Sequence, residues 1–153
     1  MKLLNRKTNQ EIEADILEVE KEDYALIKKA KQFDFDWALE KKQLVFKIIT
    51  LGNDEIQGLL SLKDIQDELR IHVNLVENAN SNKGKDKTLD RVAGCLLAYA
   101  TQLAFEKGYL GFVSLVPKAE LIELYVKKYG FTQYGRQLAI DRKTAIQFIQ
   151  KYL

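Results

Sequence analysis

The chain has 153 residues, 46% of them hydrophobic, with 24 basic and 22 acidic side chains that leave a formal net charge of +2. That length suits one domain over residues 1–153 with a sizeable core, since single domains run to roughly 100–200 residues. The charges are interspersed rather than blocked, which argues against a nucleic-acid-binding stripe or a polyanion-binding tail.

The opening M-K-L-L-N-R-K-T-N-Q lacks the apolar stretch of an export signal, and no run approaches the roughly 18 apolar residues of a membrane-spanning helix. A cytoplasmic protein with no membrane partner is the expectation. E-A-D-I-L-E-V reads as a first strand and E-D-Y-A-L-I-K-K-A as a short helix. In F-D-F-D-W the apolar Phe33, Phe35 and Trp37 occupy every second position, as in an extended segment with one buried face, while W-A-L-E-K-K equally suits a helical turn.

From Gln43 the pattern sharpens. Q-L-V-F-K-I-I-T-L and E-I-Q-G-L-L-S-L-K are β-branched and aliphatic runs separated by G-N-D, a hairpin turn, and E-L-R-I-H-V-N-L-V-E follows as a third strand. Leu69, Ile71, Val73 and Leu75 alternate with Arg70, His72, Asn74 and Val76, which predicts one buried and one partly polar face in an antiparallel meander.

Asn78 to Thr88, N-A-N-S-N-K-G-K-D-K-T, is strongly polar and reads as a loop. A long helix then begins after Asp90, a plausible cap, with Val92, Cys95 or Leu96, Tyr99 and Leu103 as its buried stripe and Gly108 as its stop. Strand, polar loop and helix start together form an arrangement suited to a phosphate, because the first N–H groups of a helix are unpaired.

Y-L-G-F-V-S-L-V-P is the nearly continuous apolar run expected of a strand buried on both faces in a parallel pairing. Pro117 to Phe131, P-K-A-E-L-I-E-L-Y-V-K-K-Y-G-F, predicts a helix with Pro117 in its first turn and Gly130 at its left-handed end, with Leu121, Leu124, Tyr125 and Lys128 on one side. Gln137 to Asp141 closes as a strand, and R-K-T-A-I-Q-F-I-Q-K-Y-L is an amphipathic last helix capped by Asp141.

The single Cys95, set in A-G-C-L-L, reads as a reduced and buried thiol. The single His72, with no Cys cluster and no paired histidine, argues against a metal site or a Ser-His-Asp hydrolase and reads as a strand residue or a polar lining.

The segment with Ala119, Leu124, Tyr125, Lys127, Lys128, Gly130 and Phe131 resembles the second cofactor-binding motif of the GNAT superfamily of acyl-CoA-dependent N-acyltransferases. The order of elements from Gln43 to Ile140 is similar to the family's, and N-x-G-K followed by D-R-V-A-G-C-L-L is similar to GNAT-like bacterial proteins. The resemblance implies an α/β (α+β) fold with a mixed central sheet of about six or seven strands flanked by helices, its strands four and five splayed around the pantetheine arm of acetyl-CoA. It also implies an amine acceptor, small molecule or protein, and a monomer or homodimer.

By the same resemblance Tyr125 matches the phenol that serves as general acid toward the CoA sulfur, and Glu77 is the candidate general base, or else a solvated strand end. The cofactor-binding set is Leu75 and Val76 on the splayed strand, Asn82, Lys83, Gly84 and Lys85 in the polar loop, Ala93 and Gly94 at the helix start, and Lys118 and Tyr125 in the motif. The family's phosphate motif has a glycine where Arg91 or Val92 stands here. Either N-K-G-K cradles the phosphate instead, or cofactor binding is weakened or absent, and a GNAT-fold module that binds acyl-CoA or a protein partner without transfer is the alternative to an N-acetyltransferase.

Overall fold

The computed structural model describes all residues, Met1–Leu153. In chain order its elements are β1 (Lys2–Asn5), β2 (Glu11–Glu18), α1 (Asp23–Ala30), β3 (Leu44–Thr50), β4 (Ile56–Ile65), β5 (Arg70–Asn78), β6 (Leu89–Asp90), α2 (Val92–Glu106), β7 (Val113–Leu115), α3 (Ile122–Tyr129), β8 (Thr132–Tyr134), β9 (Gln137–Ile140) and α4 (Arg142–Tyr152). The strands follow the order β6-β1-β2-β3-β4-β5-β7-β9-β8. Nine strands replace the six or seven expected, because β1, β6 and β8 are too short to show a two-residue alternation in the sequence. The chain forms two compact units, Met1–Ser61 with Leu75–Leu96 and Leu62–Asn74 with Leu97–Leu153, and it passes between them inside β4, β5 and α2.

In the first unit β2 pairs antiparallel with β3 from Ala14↔Thr50 to Glu18↔Phe46, and β1 pairs antiparallel with both β2 and β6. One core cluster joins Ile27 of α1, Trp37, Val45 and Leu59, with Val19, Phe33, Ile56 and Leu75 packed against it. Leu59 therefore faces α1, whereas a Cβ placed on the preceding Gly58 would meet Val92 Cγ1 at 2.6 Å and Leu96 Cδ1 at 3.1 Å. Successive residues of β4 thus serve opposite faces, as strand geometry requires. Of the two readings of F-D-F-D-W the helical turn is realised: Trp37–Glu40 is a 3₁₀ turn, and the Asp36 carboxylate accepts the Ala38 N–H.

In the second unit β7 pairs parallel with β5 from Ile71↔Val113 to Val73↔Leu115 and antiparallel with β9. The parallel register ends there, while β5 continues to Asn78. Val113, Ser114 and Leu115 are all buried, in keeping with a strand covered on both faces. Leu69 departs from the expected alternation; it lies outside β5 with φ +51° and is exposed.

Helix α2 is covered at Leu97, Ala98, Ala100, Thr101 and Ala104 as well as at the expected Val92, Cys95 and Leu96, whereas Tyr99 and Leu103 of the expected stripe are only half-buried. Its only strongly polar side chains, Gln102 and Glu106, are the exposed ones. Helix α3 corrects two expectations. Pro117 stands ahead of a 3₁₀ turn at Ala119–Leu121 and not in the helix, and the covered side chains are Tyr125 and Tyr129, one turn apart, while Leu121, Leu124 and Lys128 are exposed. The glycine stop holds: Gly130 has φ +75°, and Gly130 and Phe131 N–H donate to the Val126 and Tyr125 carbonyls. Asp141 caps α4 by accepting the Thr144 N–H at 2.8 Å. No helix is long and apolar enough to cross a membrane.

Candidate functional site

The start of α2 is the most ligand-ready backbone in the first unit. After β6 the chain turns at Arg91 through φ +78°, and the first intrahelical hydrogen bond runs from Cys95 N–H to the Arg91 carbonyl at 2.9 Å. The N–H groups of Val92, Ala93 and Gly94 precede that bond and have no partner in the protein. Asp90 is not the expected helix cap: its carboxylate accepts the N–H of Arg91, one residue too early, and is held by Lys87 at 3.2 Å and Arg6 at 3.7 Å. Three bare donors at the start of a fifteen-residue helix have the polarity that suits an anion. Arg91 occupies the left-handed conformation that glycine takes without strain, so the backbone path of a glycine turn is kept without the glycine.

The polar loop upstream does not form the expected cradle. Asn82 is 2% exposed, donates to the Gln57 carbonyl and side chain, and accepts the Leu89 N–H, which closes the loop on itself together with Thr88 N–H to Ser81 carbonyl. Lys83 is spent on Glu77 at 2.8 Å and Asp34 at 3.2 Å; burial works against its charge, but those two carboxylates outweigh it and raise its pKa above the ordinary lysine value. Gly84 has φ +75° with nothing within 4 Å of a would-be Cβ, so no close approach depends on it, and Lys85 is exposed.

Glu77 is buried, and four donors converge on its carboxylate: the N–H groups of Asp34 at 2.8 Å and Phe35 at 3.3 Å, Trp37 Nε1–H at 2.9 Å and the Lys83 ammonium at 2.8 Å. This is neither a solvated strand end nor a carboxylate with a lone pair to spare for an amine proton. It anchors the segment before the 3₁₀ turn to the end of β5. Leu75 and Val76, just before it, are half-buried, Leu75 against the Ile27 cluster.

In the second unit Tyr125 is 8% exposed, its ring tilted against Tyr129 at 5.9 Å and edge-on to Phe131 at 5.7 Å. Tyr129 continues the stack to Phe148 and Tyr152. Burial raises the Tyr125 pKa above the usual phenol value, and its hydroxyl donates to no group of the protein, so it keeps its proton. Lys118 is exposed just before the 3₁₀ turn that leads into α3. His72 belongs to a polar cluster: Arg70 Nη1 donates to Ser114 Oγ at 2.6 Å, and Ser114 Oγ lies 2.9 Å from His72 Nδ1. Burial, then Arg70 and Lys63, lower the His72 pKa, which fits an Nδ1 that accepts. Arg70, Ser114 and Gly58 carry no functional signal in the sequence, and Arg91 shows there only as one of two residues in the place of the family's glycine. The two glycine-like signals that exist, a β4 glycine amid bulky residues and a basic residue in the glycine position, become informative only once φ and neighbours are known.

Solved structures with this arrangement are GNAT-type acetyltransferases. A Trypanosoma brucei acetyltransferase is 15% identical over 84% of this chain and 99% of its own, with a TM-score of 0.58. The ribosomal-protein-S18-alanine N-acetyltransferase of Escherichia coli is 16% identical over 84% and 90%, also at 0.58. A GNAT family acetyltransferase of Brucella melitensis, solved with acetyl-CoA, is 12% identical over 84% and 88% with a TM-score of 0.55. The chain therefore has the GNAT fold. No protein-family model matches it, and no curated protein matches it in sequence.

Proposed function

We propose that the chain is an N-acetyltransferase that uses acetyl-CoA and a primary amine, small molecule or protein, as its two substrates. The observation that carries this reading is the trio of unpartnered N–H groups at Val92, Ala93 and Gly94, entered through a left-handed residue on a GNAT fold. Those donors and the helix dipole suit the pyrophosphate of CoA. Ala93 and Gly94 of the expected set stay in this role, whereas Asn82 and Lys83 are structural and Gly84 and Lys85 are left without one.

Acetyl-CoA supplies an activated thioester when bound. The chain's own contribution is proton handling and positioning. Tyr125 holds a phenolic proton at neutral pH and is the group assigned to deliver it to a departing thiolate. Glu77 is not assigned as base, because all of its acceptor capacity is in use. That engagement also favours a second reading, a module that binds the cofactor without transferring from it.

Calorimetric titration with acetyl-CoA tests the proposal: saturable binding is expected, and no heat and no thermal shift at millimolar ligand would overturn it. Tyr125→Phe should then lower turnover about a hundred-fold with cofactor affinity kept. Binding without release of free CoA thiol in the presence of any amine panel would leave the second reading.

A further inference from the structure

The first unit contains a cavity of about 590 Å³ that the acetyl-transfer reading does not use. It is lined by Leu26, Ile27 and Ala30 of α1, by the half-buried Phe33 and Ile56, and, at the exposed turn before β4 that forms its rim, by Asp54 and Glu55. Its volume lies in the range of small-molecule sites, about 300–1,000 Å³. None of Val92, Ala93 and Gly94, which carry the bare donors of α2, lines the cavity.

The charges around it have a sign. Asp23 and Lys47 neutralise one another in the wall, both carboxylate oxygens lying 2.8 Å from the ammonium. At the rim the carboxylates of Asp54 and Glu55 have no partner and face a single unpaired cation, Lys29. The turn that carries them is fixed by Asp54 N–H to the Thr50 carbonyl at 3.1 Å and Glu55 N–H to Asn53 Oδ1 at 3.1 Å. Apolar interior and acidic rim together select for a molecule that is greasy at one end and cationic at the other.

We propose that this cavity is a binding site for an amphipathic amine, an apolar or aromatic body bearing one cationic nitrogen, with the body against Ile27, Phe33 and Ile56 and the nitrogen at Asp54 and Glu55. An organic anion is repelled by the same rim, and a neutral analogue gains only the apolar contact.

The reporter is built in. Trp37, the only tryptophan, belongs to the cluster against which Phe33 and Ile56 pack, so occupancy of the cavity changes its emission. Titration of the full chain with phenethylamine, without any acyl-CoA, should give a saturable change confirmed by calorimetry, with 2-phenylethanol weaker and 3-phenylpropionate weaker still. The double variant Asp54→Asn/Glu55→Gln should weaken the amine about five-fold, two exposed charges each being worth a fraction of a kcal/mol, and leave the alcohol unchanged. Ala30→Phe, which adds a ring on the α1 wall, should reduce the binding of all three. Both variants alter exposed positions, so the fold is checked by circular dichroism. No saturation by the amine at millimolar concentration, equal binding of the alcohol, or an amine affinity indifferent to the double variant would overturn the proposal. A failure to bind acetyl-CoA would overturn the acetyltransferase reading and leave this one standing.

Discussion

Trp37 Nε1–H donates to Glu77 Oε1 across 2.9 Å and joins residues forty apart in the sequence, both almost wholly buried. The same carboxylate takes two backbone N–H groups and the Lys83 ammonium. Removing one member of such a network strands the others, which is the costly case for buried charge. Glu77→Ala is expected to destabilise the chain by about 3 kcal/mol. Urea unfolding measures it, and Trp37 emission should move to longer wavelength in the folded variant. A loss below about 1 kcal/mol would mean that solvent replaces the carboxylate and that the anchor is not one.

This pair also explains where the sequence was readable. Strands β2 to β5 and helices α1, α2 and α4 follow from alternation, from helical spacing and from local signals such as Asp141 and Gly130, all of which act within a few residues. The role of Glu77 depends on a partner forty positions away, so its place at a strand end gave only the choice between base and solvated acid. Lys83 is opaque for the same reason: it stands in N-K-G-K and is held by Asp34, forty-nine residues earlier. The helix after Asp90 is legible in the sequence, but its start at Val92 without an Asp90 cap and its entry through a left-handed arginine carry no composition signal.

Arg91 at φ +78° bears strain of about 1–2 kcal/mol that glycine would not. Its side chain returns part of this through Nε–H to the Lys2 carbonyl at 3.1 Å. Arg91→Gly should therefore lie within about 1 kcal/mol of the parent, while Arg91→Val, β-branched in the same conformation, should be less stable than the glycine variant by about 2 kcal/mol or more. Thermal unfolding of the pair decides it. Acetyl-CoA affinity should survive in the glycine variant, because the donors at Val92, Ala93 and Gly94 keep their path. Equal stability of the two variants would show that the turn relaxes to negative φ.

Cys95 gives a pH dependence. Burial pushes its thiol up from 9.0 to about 11, despite the opposing effect of Arg91. Between those values the unfolded chain has released the proton and the folded chain still holds it, so unfolding is favoured as pH rises. The Cys95 contribution should be constant below pH 9 and cost roughly 2 kcal/mol toward pH 11, at about 1.36 kcal/mol per unit. Tyr125, whose pKa burial also raises from 10.0, acts in the same direction from about pH 10 upward. Cys95→Ala should flatten the slope above pH 9 without abolishing it, at the cost of some packing at every pH. An unchanged slope in guanidinium titrations across pH 8–11 would remove Cys95 as its source.

Gly58 controls how closely β4 and the start of α2 approach. A Cβ there would lie 2.6 Å from Val92 Cγ1 and 3.3 Å from the Glu77 carbonyl, and the first contact is shorter than real Cβ atoms tolerate. Val92 is 1% exposed and β-branched, so it has no free rotamer into which to withdraw. The strain must pass to the backbone of the first turn of α2, which carries the unpartnered donors. Gly58→Ala is therefore expected to cost about 1–3 kcal/mol of stability and to weaken acetyl-CoA binding as well. Val92→Ala in the same chain opens the space that the methyl needs and should restore affinity. If Gly58→Ala lowers stability but leaves calorimetric affinity for acetyl-CoA intact, the phosphate does not rest on Val92, Ala93 and Gly94.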